Sequence, residues 1–195
     1  MRIRMALATA VALVAAPAAL IAQDGVRVKG GLSYGNVSNR GLLPGNLEER
    51  TGFAIGLSVA STGGLLGYGA EALYAQRGVT SPNDTSARKL DYVDVPLYLR
   101  AMVPTPGIAP YAYAGPQFSF ELRCRTGAGA CPASDRPKTT FAAVLGGGVR
   151  FGAAEHSITL EGRYVYGLTD LKLSTVTSSN SYKTRSFMLL AGISF

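Results

Sequence analysis

The chain has 195 residues, of which 16% are charged and 47% hydrophobic, with 24 glycines, 10 tyrosines and a net charge of +7. That length suits one domain, and the low charge is unlike a typical soluble domain. No apolar run of about 18 residues follows the first 22, so helical membrane spans are excluded, and a modest dispersed positive charge is no nucleic-acid footprint.

The N-terminus reads as a secretory signal. Arg2 and Arg4 form the basic start and Met5 to Ala16 the apolar stretch; Ala16-Pro17-Ala18 or Leu20-Ile21-Ala22 then precedes the cleavage point, with cleavage after Ala22 favoured. The mature domain is then 23–195, and loss of the two arginines lowers the net charge to +5.

From there the pattern has a period of two. Val26, Val28, Gly30, Leu32 and Tyr34 alternate with Arg27, Lys29, Gly31, Ser33 and Gly35. Phe53, Ile55, Leu57 and Val59 mark a second segment, and Tyr68, Ala70, Ala72 and Tyr74 a weaker third. The fourth sets Val93, Val95, Leu97, Leu99 and Ala101 against Tyr92, Asp94, Pro96, Tyr98 and Arg100. The fifth sets Ala112, Ala114, Pro116, Phe118, Phe120 and Leu122 against Tyr111, Tyr113, Gln117, Ser119, Glu121 and Arg123. Phe141, Ala143, Leu145, Val149 and Phe151 define the sixth, with Arg150 on its other face. Ile158, Leu160, Tyr164, Tyr166 and Leu168 oppose Thr159, Glu161, Arg163 and Gly167 in the seventh. The last runs through Phe187, Leu189, Ala191, Ile193 and Phe195.

Eight segments of about 9–12 residues match tilted strands crossing a bilayer. Short connections (61–64, 104–109, 152–156) alternate with long polar ones (38–49, 79–89, 124–138, 169–183), which is the layout of an outer-membrane barrel. The expected fold is therefore all-β: an eight-stranded antiparallel up-and-down transmembrane barrel, its first strand paired with its last because lipid cannot satisfy an open edge. Pro96 and Pro116 each remove a ladder donor, so a bulge or local break is expected at both.

The segments DYVDVPLYLR (Asp91–Arg100), PYAYAGPQF (Pro110–Phe118), LEGRYVYGLTDL (Leu160–Leu171) and SFMLLAGISF (Ser186–Phe195) resemble the PorT-like outer membrane protein β-barrel domain family. The resemblance covers most of Gly30 to Phe195 and implies a small barrel in the bacterial outer membrane. It also implies that Phe195 serves as the C-terminal signal read by the barrel-assembly machinery, a partner during biogenesis.

On this register the inner face carries Arg27, Lys29, Glu71, Arg77, Asp94, Arg100, Glu121, Arg123, Arg150, Glu161 and Arg163. An eight-stranded barrel is just wide enough for side chains, and buried charges must pair. The set is read as structural filler, with Glu71, Glu121 and Glu161 expected to meet Arg100, Arg123 and Arg163. Cys124 and Cys131, separated by six residues in an exported chain, are expected to form a disulfide.

No catalytic, metal or cofactor residues are assigned. His156 beside Glu155 lies in a short turn, away from the long loops, and Gly146-Gly147-Gly148 lacks the order of a phosphate loop. Tyr34, Tyr68, Tyr74, Tyr164 and Tyr166 are candidates for an interfacial girdle. The function read from the sequence is a structural or surface-interaction role through the long loops. The partners are outer-membrane lipids and lipopolysaccharide, and no nucleic acid. The alternatives are a narrow channel for small solutes, a lipid-modifying enzyme, and an exported lipocalin-like binder.

Overall fold

The computed structural model describes residues 26–37, 48–62, 64–80, 88–126, 129–131, 138–152, 156–169 and 184–194. The candidate signal (1–22) and Phe195 lie outside them, as does most of each long connection.

The strands are β1 (Val26–Val37), β2 (Glu48–Thr62), β3 (Leu66–Thr80), β4 (Arg88–Met102), β5 (Ile108–Thr126), β6 (Gly129–Ala130), β7 (Thr139–Gly152), β8 (Ser157–Gly167) and β9 (Thr184–Ser194). All pairings are antiparallel, and the sheet runs β4-β3-β2-β1-β9-β8-β7-β5, with β4 also paired to β5. The eight long strands therefore close into a barrel, and β6 is a two-residue extension on β5. β1 pairs with β9 from Arg27↔Ser194 to Val37↔Thr184, which removes the open edge that lipid would penalise.

The strands are longer than the alternation suggests, because β2, β3, β4 and β5 continue into the expected loops. The three short connections share one end, the turn rim, and the long ones share the other, the loop rim. At the turn rim Gly107 and Gly152 adopt φ of +81° and +97°, a conformation that favours glycine.

Alternate residues divide cleanly between two environments. Val28, Leu32, Phe53, Ile55, Leu57, Leu97, Leu99, Phe118, Phe120, Leu145, Leu160 and Leu189 are exposed on the outside, while their polar neighbours are buried. This is the inverse of a soluble protein and the expected wall of a barrel bathed in lipid.

The prolines keep the register but bring the expected local break: β4–β5 pairing is interrupted between Pro96↔Gln117 and Leu99↔Ala114, and β3–β4 pairing between Ala70↔Leu97 and Leu73↔Asp94, while Pro116 pairs with Ala143 in a continuous β5–β7 ladder. One expectation is corrected here. The register of β4–β5 shifts at Leu122, since Tyr92 pairs with Glu121 and Asp91 with Arg123. This extra residue moves Arg123 off the lumen face, where it was expected, to an exposed position, and turns Cys124 inward. Cys124 is disulfide-bonded to Cys131, with a Cα–Cα distance of 5.5 Å, at the β5–β6 hairpin.

Candidate functional site: a charged brace across the lumen

The inner face holds a four-charge ring. Lys29 on β1 places Nζ 2.6 Å from Glu71 Oε1 and 2.7 Å from Glu161 Oε2. Arg163 on β8 pairs through Nη2 with Glu71 Oε2, and lies 2.9 Å from Glu161 Oε1. Two cations and two carboxylates thus balance within one cluster. All four side chains are buried.

The topology makes this ring a cross-brace. Counting round the closed sheet, β3 and β8 are four strands apart in either direction, so Glu71 and Arg163 stand on opposite walls. Lys29 joins from β1, midway between them on one side. On the other side come tyrosines. Tyr98 donates to Glu71 Oε1 at 3.0 Å, Tyr111 to Glu161 Oε2 at 2.8 Å, and Tyr113 to Glu161 Oε1 at 3.0 Å. Arg163 Nε donates to the Tyr113 hydroxyl at 2.8 Å, and its guanidinium lies 5.4 Å from that ring's centre. Carboxylates so deep need several donors each, and this arrangement supplies them.

Glycines make room for the rings. Gly69 is the β3 partner of Tyr98, and a Cβ there would lie 2.6 Å from the Tyr98 ring. Gly146 is the β7 partner of Tyr113, and a Cβ there would lie 2.3 Å from Tyr113 Cζ. The tyrosines lean over bare backbone and direct their hydroxyls to the axis.

On the loop side of the brace apolar side chains lie beside buried Ser33, Gln117 and Ser186, the register partners of Met188, Ala142 and Val165. Ala54, Leu73, Ala75, Met188 and Leu190 pack together from β2, β3 and β9, and Ala142, Val144 and Val165 line the β7–β8 wall. Above them Arg77 pairs with Asp94, and its guanidinium lies 5.5 Å from the Tyr92 ring centre. On the turn side Arg27 Nε donates to Ser194 Oγ at 3.1 Å, and Arg100 lies 5.7 Å from the Tyr111 ring centre.

Of the residues singled out from sequence, Glu71, Glu161 and Arg163 meet in the ring, and Asp94 pairs separately with Arg77. The Arg100 guanidinium lies over the Tyr111 ring. Glu121 and Arg150 are half-buried on the inner face. Lys29 lies on the inner face, as its alternation implies, and is a further partner of both Glu71 and Glu161. His156 is exposed at the turn rim.

Comparison with known proteins fits this architecture. No curated protein matches the chain. Among solved structures, Neisserial surface protein A is similar over 88% of this chain and 97% of its own, at 12% identity and a TM-score of 0.56. Ail, the attachment invasion locus protein of Yersinia pestis, is similar over 87% of this chain and 97% of its own, at 14% identity and a TM-score of 0.49. The outer membrane enzyme PagL is similar over 87% of this chain and 99% of its own, at 13% identity and a TM-score of 0.48. At such identities the likeness to Neisserial surface protein A is one of fold. The outer membrane protein beta-barrel domain model matches residues 5–195. The closed barrel, its lipid-facing apolar wall and that match together make the chain a member of the outer membrane protein beta-barrel domain family, located in the bacterial outer membrane.

Proposed function

We propose that this protein is a shut, non-enzymatic barrel that serves the outer membrane structurally and meets the cell exterior through its four long connections. The observation that carries this reading is the brace. A conduit for small solutes needs an open path, whereas here Glu71, Arg163, Glu161 and Lys29 bridge the full width, with the packed cluster of Ala54, Leu73, Ala75, Met188 and Leu190 on their loop side. The same charges argue against a lipocalin-like binder, whose lumen would be apolar. A serine–histidine arrangement near the loops lacks its histidine, since the chain's single histidine, His156, is at the turn rim.

In this reading residues 1–22 direct export, Phe195 engages the assembly machinery, and the loop rim faces outward against lipopolysaccharide. Within the family, the four segments quoted above favour the PorT-like group. Orientation is tested by introducing one cysteine at a time and labelling whole cells with a membrane-impermeant maleimide. Ser178→Cys, in the last long connection, is expected to react on intact cells, and His156→Cys only after permeabilisation. The reverse pattern overturns the orientation.

A further inference from the structure

The bulge at Leu122 creates an outward-facing basic patch. Because of it, Arg123 leaves the lumen and stands beside Asp91 on the outer face of β4–β5. The next outward pair toward the loops is Lys89↔Arg125, two cations directly opposite each other in the ladder, both exposed. Like charges in that relation destabilise a sheet unless an anion lies between them. Three cations thus stand over one carboxylate.

The patch sits at the end of an apolar column. Going from turn rim to loop rim, the outer face of β4 reads Ala101, Leu99, Leu97, Val95, Val93, then Asp91 and Lys89. That of β5 reads Ala112, Ala114, Pro116, Phe118, Phe120, Leu122, then Arg123 and Arg125. Phe118 packs against Phe141 with ring centres 5.3 Å apart, and Phe120 is the register partner of Val93. Aromatic residues at this level mark the interface between hydrocarbon and headgroups. At the turn rim the pattern differs. Among the described residues Arg27, Lys29, Arg100, Arg150 and Arg163 all occupy inner-face positions, so no lysine or arginine meets the lipid headgroups there.

We propose that Lys89, Arg123 and Arg125 form a binding site for the phosphorylated headgroup of an outer-leaflet glycolipid. The phosphates lie between the cations, and the acyl chains lie along Val93, Val95, Phe118 and Phe120. Arginine at two of the three positions suits bidentate contact with phosphate oxygens. The inference rests on the lipopolysaccharide contact proposed above and deepens it to three residues and a headgroup chemistry.

The test uses the refolded protein in a zwitterionic detergent, where binding does not depend on orientation. Affinity is measured for bis-phosphorylated lipid A and for the same lipid after enzymatic dephosphorylation. Each variant is first checked for the heat-modifiable gel mobility of a folded barrel. The double variant Arg123→Ser/Arg125→Ser is expected to weaken binding about tenfold or more, as is Lys89→Ser with Arg123→Ser should the first pair not fold. Arg185→Ser removes an exposed cation stacked on Tyr166 elsewhere on the loop rim, and is expected to change affinity by no more than about twofold. Dephosphorylated lipid A is expected to bind as weakly as the double variant binds the intact lipid. Equal binding of the two lipids, an unchanged double variant, or an equal loss in Arg185→Ser overturns the site. The cell-labelling experiment reads orientation separately, so failure of one leaves the other standing.

Discussion

Arg163 of β8 reaches across the whole lumen to Glu71 of β3, the strand on the opposite wall, and both groups are buried there. The pairing is possible because the lumen is narrow, and it is stable because each charge has further partners. Lys29 and Glu161 complete a neutral ring, while three tyrosine hydroxyls donate further hydrogen bonds to the two carboxylates. An eight-stranded wall is just wide enough for side chains to fill its interior.

Breaking the ring at one point is expected to be costly. Glu161→Ala leaves Lys29 and Arg163 sharing Glu71 alone, and strands the Tyr111 hydroxyl. Loss of one member of a buried ion pair typically costs about 3–5 kcal/mol. Urea unfolding of the barrel in detergent, followed by gel mobility, measures this. An unchanged midpoint would speak against the brace.

Removing charge in balance is expected to be much milder. Arg163→Met combined with Glu71→Gln leaves Lys29 facing Glu161, a neutral remainder. The double variant is expected to be more stable than Glu71→Gln alone by about 1–3 kcal/mol, since no uncompensated cation stays buried. A double-mutant cycle on unfolding free energies gives the coupling, and strict additivity would mean that the two groups do not interact.

Gly146 tests the fit of the tyrosines. Gly146→Ala places a methyl 2.3 Å from Tyr113 Cζ, so the ring must move and its contacts with Glu161 and Arg163 loosen. Overpacking of this kind costs about 1–3 kcal/mol. Adding Tyr113→Ser to the Gly146→Ala variant is expected to cost less than Tyr113→Ser does in the unchanged chain, because the clash is relieved. Equal costs in the two backgrounds would show that the ring does not rest on this glycine.

The disulfide is expected to stabilise the β5–β6 corner without determining the barrel. Closing the short Cys124–Cys131 loop contributes about 2–3 kcal/mol by chain entropy. The eight-strand ladder is complete without β6. Cys124→Ser/Cys131→Ser is therefore expected to retain heat-modifiable mobility with a lower unfolding midpoint. A variant that no longer folds would show the loop to be essential to closure.

The sequence reveals the wall better than its contents. Alternation assigns the facing of Val28 against Lys29 and of Phe118 against Gln117, because each step along a strand reverses the side chain. It does not reveal that Lys29 meets Glu71 and Glu161. That depends on strand tilt and stagger, which bring residues from β1, β3 and β8 to one depth, and period-two patterning carries no such information. Arg123 departs from its expected face for a related reason. A single inserted residue at Leu122 inverts everything beyond it, and an outward Leu122 is compatible with either phase. The prolines are legible, since the lost donor of Pro96 coincides with gaps in both of its strand's ladders although the register continues across them.

The central claim is that the lumen is shut, and single-channel recording tests it most directly. The refolded, full-length mature protein is inserted into a planar bilayer under an applied potential. The expected result is a quiet baseline, with no discrete openings, from protein that gel mobility shows to be folded. Regular, reproducible unitary steps from that folded protein would contradict the brace as a seal.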